Sequence, residues 1–297
     1  SDHHMNYTYQ TIAHNTVTVT DPADTTPARN KKGERSFAND GGQRRIGSGW
    51  GIEPAPMDLA EWNAKREIYH TGKIEQFTER DGVTIVVADL TPAYTNRYSG
   101  EGTFSHRTRR VEQFRRTFVY DRINDVIVIF DRVVATKASF RKRWLLHTLE
   151  QPQIVPGGFI VRTAPDAGLR RAGGILKGLV LLPEQAQITA VGGNGAEFLV
   201  DSWNYDEAGK LRQTIRGKND PDIGEWRIEV SPSSGAREDT FLTVLVPSLD
   251  MAATLPTARL LKKDNQIGCE LSGPHRPPMQ LWFSGNNVDV KFSASHP

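Results

Sequence analysis

His14 stands between the apolar pair Ile12-Ala13 and the alternating run Thr16-Val17-Thr18-Val19-Thr20. A neutral imidazole there could bind a metal, act as a base, or hydrogen-bond within a core. No second histidine sits at the His-x-His or His-x3-His spacing of a local metal motif. The loop Phe37-Ala38-Asn39-Asp40-Gly41-Gly42-Gln43-Arg44-Arg45 offers different chemistry. Its glycine pair permits close backbone approach, and Arg44 and Arg45 could clamp a carboxylate or sulfate through paired N–H donors. A solvated charged loop is the competing reading. Further on, Pro92-Ala93-Tyr94-Thr95-Asn96-Arg97-Tyr98-Ser99 brings a phenol and stacking face at Tyr94 and a guanidinium at Arg97. A basic segment, His106 to Arg116, follows. Its simplest fate is a strand whose exposed face is charged. His147, in Trp144-Leu145-Leu146-His147-Thr148, and His70, in Ile68-Tyr69-His70-Thr71-Gly72, read as histidines satisfied within the structure. No Gly-x-Ser-x-Gly elbow, P-loop or dinucleotide fingerprint is present.

The elements that must position these groups are strands. Short β-branched and aromatic runs alternate with Gly, Pro, Asn and Asp. Val83 to Ala88 follows the turn pair Asp81-Gly82, a hairpin signal. Phe114 to Tyr120 reads as a strand, and Asp125 to Asp131 is apolar on both faces, as a central strand requires. Further strands are expected over Arg143–Leu149, Phe159–Thr163, Leu176–Leu182, Glu197–Asp201, Trp226–Ser231, Thr240–Val246, Gln266–Leu271, Gln280–Ser284 and Val288–Phe292. The helical pattern is confined to Met57–Glu67, with Pro56 and Asp58 at its start. Thr25 to Gly51 reads as one long loop, and loops of that length tend to carry function or disorder. The expectation is an all-β chain: one large antiparallel β-sandwich over residues 1–297, with long loops and at most one short helix.

Composition narrows the partners. With 297 residues, 24% charged and a formal net charge of +2, the chain has core enough for a large domain and no excess charge for nucleic acid. Arginines beside aromatics suit an acidic polysaccharide with less demand on total charge. One cysteine, Cys269, excludes an intrachain disulfide and any cysteine-based zinc finger. No apolar run is long enough for a membrane helix, and the first residues carry no signal-peptide pattern.

Three blocks together resemble the heparinase II/III family of polysaccharide lyases, with the nearest look to its heparinase II branch. They are Gln10-Thr11-Ile12-Ala13-His14-Asn15-Thr16-Val17-Thr18-Val19, then Asn39-Asp40-Gly41-Gly42-Gln43-Arg44, then Trp144-Leu145-Leu146-His147-Thr148-Leu149-Glu150-Gln151-Pro152. Arg116–Tyr120, Val128–Val134 and Gly224–Val230 fall in the same order as in that family. The resemblance implies that an N-terminal (α/α) toroid, absent from this chain, carries the asparagine or histidine, the tyrosine and the arginine of the active cleft. It also implies a zinc site in the sandwich, built from a His-x-His pair, an aspartate and the histidine of Ala-His-Asn-Thr. Only the last is here, as His14, so zinc would need ligands from outside this chain; the resemblance implies a structural role for it, fixing the loop beside the cleft.

The activity implied is β-elimination on a uronic-acid glycan, heparin- or heparan-sulfate-like or alginate-like, with the chain inactive without its toroid. Arg44, Arg45, Tyr94 and Arg97 are then expected to line the substrate cleft. The implied partners are an acidic polysaccharide and the toroid polypeptide, with neither nucleic acid nor membrane, in a periplasmic or secreted setting. The rival expectation is a non-catalytic sandwich that binds carbohydrate or serves as scaffold.

Overall fold

The structure is a computed structural model and describes residues 7, 10–23, 28–29, 35–36, 41–42, 56–95, 109–167, 172–193, 195–200, 203–204, 225–250, 252–284 and 287–292. A 3-10 turn at Thr11–Ala13 leads into β1 (Val17–Thr20), followed by the two-residue ribbon β2 (Ala28–Arg29) and β3 (Arg35–Ser36). Two short helices come next, α1 (Leu59–Ala64) and α2 (Arg66–Tyr69), then β4 (Lys73–Arg80) and β5 (Val83–Asp89). A third short helix, α3 (Thr91–Thr95), precedes β6 (Val111–Asp121), β7 (Val126–Ala135) and β8 (Arg141–Thr148). The middle of the chain gives β9 (Gln153–Val155), β10 (Gly158–Thr163), β11 (Gly174–Leu182), β12 (Gln187–Gly192), β13 (Leu199–Val200) and β14 (Trp203–Asn204). Last come β15 (Trp226–Ser231), β16 (Glu238–Ser248), β17 (Thr257–Lys263), β18 (Gln266–Gly273), β19 (Arg276–Ser284) and β20 (Asn287–Phe292).

Three larger antiparallel sheets and two two-stranded ribbons, β2-β3 and β13-β14, organise these strands. A wide sheet runs β4-β5-β6-β7-β16-β11-β10-β9; a second runs β1-β8-β15-β12; a third runs β17-β18-β19-β20. The wide sheet is the central layer, because its middle strands are apolar on both faces. In β7, Val133 and Ala135 join a core with Val17, Trp144, Ile228 and Val230 of the second sheet. Val126 and Val128 of the same strand join another core with Cys269, Leu271, Leu281 and Phe283 of the third. β16 divides in the same way, Phe241 and Leu245 to the first core, Leu242, Val244 and Val246 to the second. Period-two alternation alone produces this sorting.

The Asp81-Gly82 hairpin forms as expected. Arg80 pairs with Val83, and both central residues have positive φ, 52° and 77°, the backbone that a two-residue primed turn demands. Asp264 and Asn265, at 48° and 63°, repeat the device between β17 and β18. The single expected helix begins where Asp58 accepts a hydrogen bond from Glu61 N–H at 2.8 Å. It breaks at Lys65 into α1 and α2. The third helix, α3, has no counterpart in the sequence reading.

Cys269 lies fully buried between the wide and third sheets, and burial alone pushes its thiol pKa up to about 12. Its thiolate fraction at neutral pH is therefore negligible. Aromatic disulfide reagents should leave native protein unlabelled and titrate one thiol once guanidinium has unfolded it; fast labelling of the folded chain would contradict this packing.

Candidate functional site

The described chemistry gathers where the chain enters β1. His14 is solvent-exposed at the corner between the 3-10 turn and the strand. Its N–H donates to Thr11 O at 3.2 Å, and its own carbonyl accepts from Thr16 N at 2.9 Å, so the backbone turns sharply on both sides of it. Asn15 is gripped from two sheets. Its Oδ1 accepts both the backbone N–H of His147, at 2.9 Å, and the Nδ1–H of the same residue, at 3.0 Å. An atom that takes a backbone N–H must be the amide oxygen, which fixes the His147 tautomer with its proton on Nδ1. From the wide sheet, Arg116 Nη1 donates to the Asn15 carbonyl at 2.7 Å. That guanidinium is itself locked by fork-on-fork bonds to Asp131, at 2.8 and 2.7 Å, and the Asp131 side chain is wholly buried.

The strand behind the corner is fixed as firmly. Thr16 O accepts from Leu145 N at 2.9 Å. Tyr94 OH donates to Val17 O at 2.5 Å and lies 3.4 Å from Thr16 Oγ1. The outer edge of β1 is covered by Gly41, whose carbonyl accepts from Val19 N at 2.9 Å. Both Gly41 and Gly42 have positive φ, and a Cβ on Gly41 would meet Thr18 at 2.6 Å. The glycine pair thus makes the close approach that its sequence suggested.

Beside the corner, on the outer face of the second sheet, runs a buried polar row. Arg143 pairs with Glu229 at 3.1 Å, and Glu229 also takes Arg227 Nε at 2.8 Å. Burial pushes the Glu229 pKa upward, yet the two arginines outweigh it and hold the carboxyl below its usual range. Tyr7, packed on Phe198 with ring centroids 5.0 Å apart, is pushed up by burial while Arg227 pulls the other way.

His147 responds to the same surroundings. Burial first, then the Arg227 charge, lowers its pKa to about 4, so the ring is neutral at pH 7. The unfolded imidazole titrates near 6.5. Between the two values the unfolded chain holds more protons, so this contribution is fully present above pH 6.5 and lost as pH falls toward 4. In full it amounts to about 3 kcal/mol, of which about 2.5 kcal/mol falls between pH 7.5 and 4.5. Denaturant unfolding from pH 7.5 to 4.5 should show that loss in the wild type and a shallower one in His147→Gln; parallel curves would contradict it.

The residues named from sequence fall in three places. His14 is at the corner. Tyr94 is 0% exposed, in α3 rather than a loop, edge-on to Phe114 at 5.4 Å. It is a core tyrosine that anchors β1 and has no face open to a cleft. Arg44, Arg45 and Arg97 lie outside the described residues, although the chain leaves Gly42 toward the first two with an added Cβ only 3.3 Å from the Tyr94 ring. In the described part of the basic segment, residues 109–116, Arg109 is exposed while the other three arginines are engaged within the fold. Arg110 is 1% exposed, Arg115 pairs with Glu75 at 2.7 Å, and Arg116 holds Asp131. Sequence reasoning gave Arg116, Asp131 and Asn15 no site role: Asn15 meets Arg116 and His147 across 101 and 132 positions, and Arg116 meets Asp131 on the neighbouring strand across 15, so no local motif joins them.

Zinc asks for about four donors. Among the described residues no three His, Cys, Asp or Glu side chains come together. The described part of the corner offers His14 as a donor but does not by itself make a zinc site.

Comparison with known proteins adds the following. The family described as "Heparinase II/III-like, C-terminal" matches residues 1–241. A search of curated proteins returns no match. Similar solved structures include a heparinase III gene product, 13% identical, covering 85% of this chain and 35% of its own, with a TM-score of 0.44. A heparan sulfate lyase HepC from Pedobacter heparinus is 11% identical, covering 88% of this chain and 35% of its own, with a TM-score of 0.42. The chain thus spans about a third of the length of those structures.

Proposed function

The chain belongs to the heparinase II/III-like C-terminal family, and from that premise we propose that it is the β-sandwich part of a lyase that cleaves uronic-acid glycans by β-elimination. In that reaction the uronate carboxylate is neutralised, a base removes the C5 proton, and an acid protonates the departing C4 oxygen. General acid and base help typically contributes about 10² to 10⁴-fold. The groups that do so belong to a toroid polypeptide, and this chain supplies the wall facing it. The observation that carries the reading is the His14-Asn15 corner: an exposed imidazole on a backbone tied to two different sheets. Such anchoring of an exposed ligand-type residue is what a preorganised site needs, since a misplacement of about 1 Å can cost about 10²-fold in rate.

Within this proposal Arg44, Arg45 and Arg97 meet carboxylate or sulfate groups of the glycan, and Tyr94 acts from beneath by holding β1. Zinc, if carried, takes His14 together with donors from outside the described residues and fixes the corner without entering the chemistry. Glycosaminoglycans of the heparan sulfate type are the first substrates to try, and a periplasmic or secreted setting follows from the polymer.

The test is the mass of the products. Elimination splits a chain without adding water, so product masses sum to the parent; hydrolysis adds one water. The chain, together with its toroid polypeptide, should yield products of the first kind from at least one uronan. Hydrolytic masses would refute the reaction. Binding with no cleavage of any uronan would favour the non-catalytic carbohydrate-binding alternative.

A further inference from the structure

We propose that the polar cavity at the Arg141 end of β8 is a second binding site for an anionic saccharide, separate from the His14 corner; this rests on the acidic-glycan reading above. The cavity has a volume of about 520 Å³, within the usual range for small-ligand sites. Its wall includes Arg141, Arg143, Gln187, Thr189, Ser231 and Ser233. Strand periodicity puts all but Ser233, which follows β15, on one face: alternate residues of β8, β12 and β15 point the same way, and Gln187 pairs directly with Ser231.

Charge decides what such a cavity takes. Three cations and two carboxylates line it. Asp239 is matched by Lys142 at 2.7 Å, and Glu229 by Arg143 at 3.1 Å. Arg141 is exposed and pairs with no carboxylate among the described residues, so it is the unspent charge at the rim. Hydroxyls and an amide around one free guanidinium match a sugar bearing a carboxylate or sulfate: the guanidinium takes the anion and the hydroxyls, as donors or acceptors, take the ring oxygens. A neutral sugar leaves the guanidinium unused.

The site is distinct from the corner by register. Arg141 pairs with Thr20, at the far end of β1, whereas His147 meets Asn15 at the near end. Six residues of β8 separate them, about 20 Å at strand rise. A glycan held here would be anchored away from the point of cleavage.

Calorimetry with a sulfated uronate tetrasaccharide, read together with hydrogen exchange, tests the site on the full chain. Arg141→Glu should weaken binding at least tenfold, while Arg80→Glu, a charge reversal on the exposed β4–β5 turn, should leave it unchanged. A neutral glucose tetrasaccharide should bind neither form. Exchange should slow over 139–143 and 231–235 on binding. Equal loss in both variants would mean unspecific attraction and would overturn the site. Undiminished binding by Arg141→Glu, or protection confined to the His14 corner, would overturn the site and leave the acidic-glycan reading intact. Failure of the wild type to bind would overturn both.

Discussion

Asp131→Ala is expected to destabilise the fold by about 3–5 kcal/mol, the cost of leaving a buried charge without its partner. Asp131 on β7 stands directly across from Arg116 on β6 and takes both arms of its guanidinium. Burial lowers the Arg116 pKa, but the Asp131 charge and hydrogen bonds outweigh it and keep the guanidinium charged. Removal of the carboxylate strands that cation beneath the corner. The double variant Arg116→Met with Asp131→Leu should recover most of the stability, because matched apolar groups owe no desolvation. It should not recover the anchor on the Asn15 carbonyl. Urea unfolding of the three proteins reads the first effect; a loss below about 1 kcal/mol in Asp131→Ala would mean that the pair is solvated and carries no weight.

Trp144→Ala should cost as much, about 3–5 kcal/mol, for a different reason. The side chain is 1% exposed in the core between the second and wide sheets, among Val17, Phe140 and Ile228. Its truncation leaves a cavity that strands on two sheets cannot close. Trp144→Phe should cost far less. The indole Nε1 is buried without a hydrogen-bond partner among the described residues, so its loss removes an unsatisfied donor along with the smaller ring. The ratio between the two substitutions, read from chemical denaturation, separates packing from polarity. Similar costs for both would show that the indole nitrogen has a partner after all.

These residues also mark how far the sequence could be read. Central strands such as β7 and β16 were legible, because burial on both faces leaves a mostly apolar run, residues 126–130 in the one and 241–246 with a single Thr243 in the other. Seven of the described strands were not: the two-residue β2, β3 and β14, and the longer β4, β9, β12 and β17, for which no strand was expected. Each lies at the edge of its sheet, where one side meets solvent and the sequence turns charged, as in Lys73-Ile74-Glu75-Gln76. Tyr94 was expected to line a cleft from a loop; its burial depends on β1 passing beneath it, seventy-seven residues away in the chain. His14 was singled out through its resemblance to a family pattern, and the structure places it exposed at the corner. The clamp that holds it was not legible, since His147 meets Asn15 across 132 positions.

The most direct test of the account is the rate at which the unsaturated-uronate absorbance band rises when wild type and Asn15→Ala, each with its toroid polypeptide, are mixed with heparan sulfate and other uronic-acid polysaccharides. The account predicts a rise for the wild type on at least one of them, and a fall of tenfold or more in Asn15→Ala with unfolding behaviour within about 1 kcal/mol of wild type. A wild type that cleaves no uronan, or an Asn15→Ala protein that cleaves as fast, would contradict the role given to the corner.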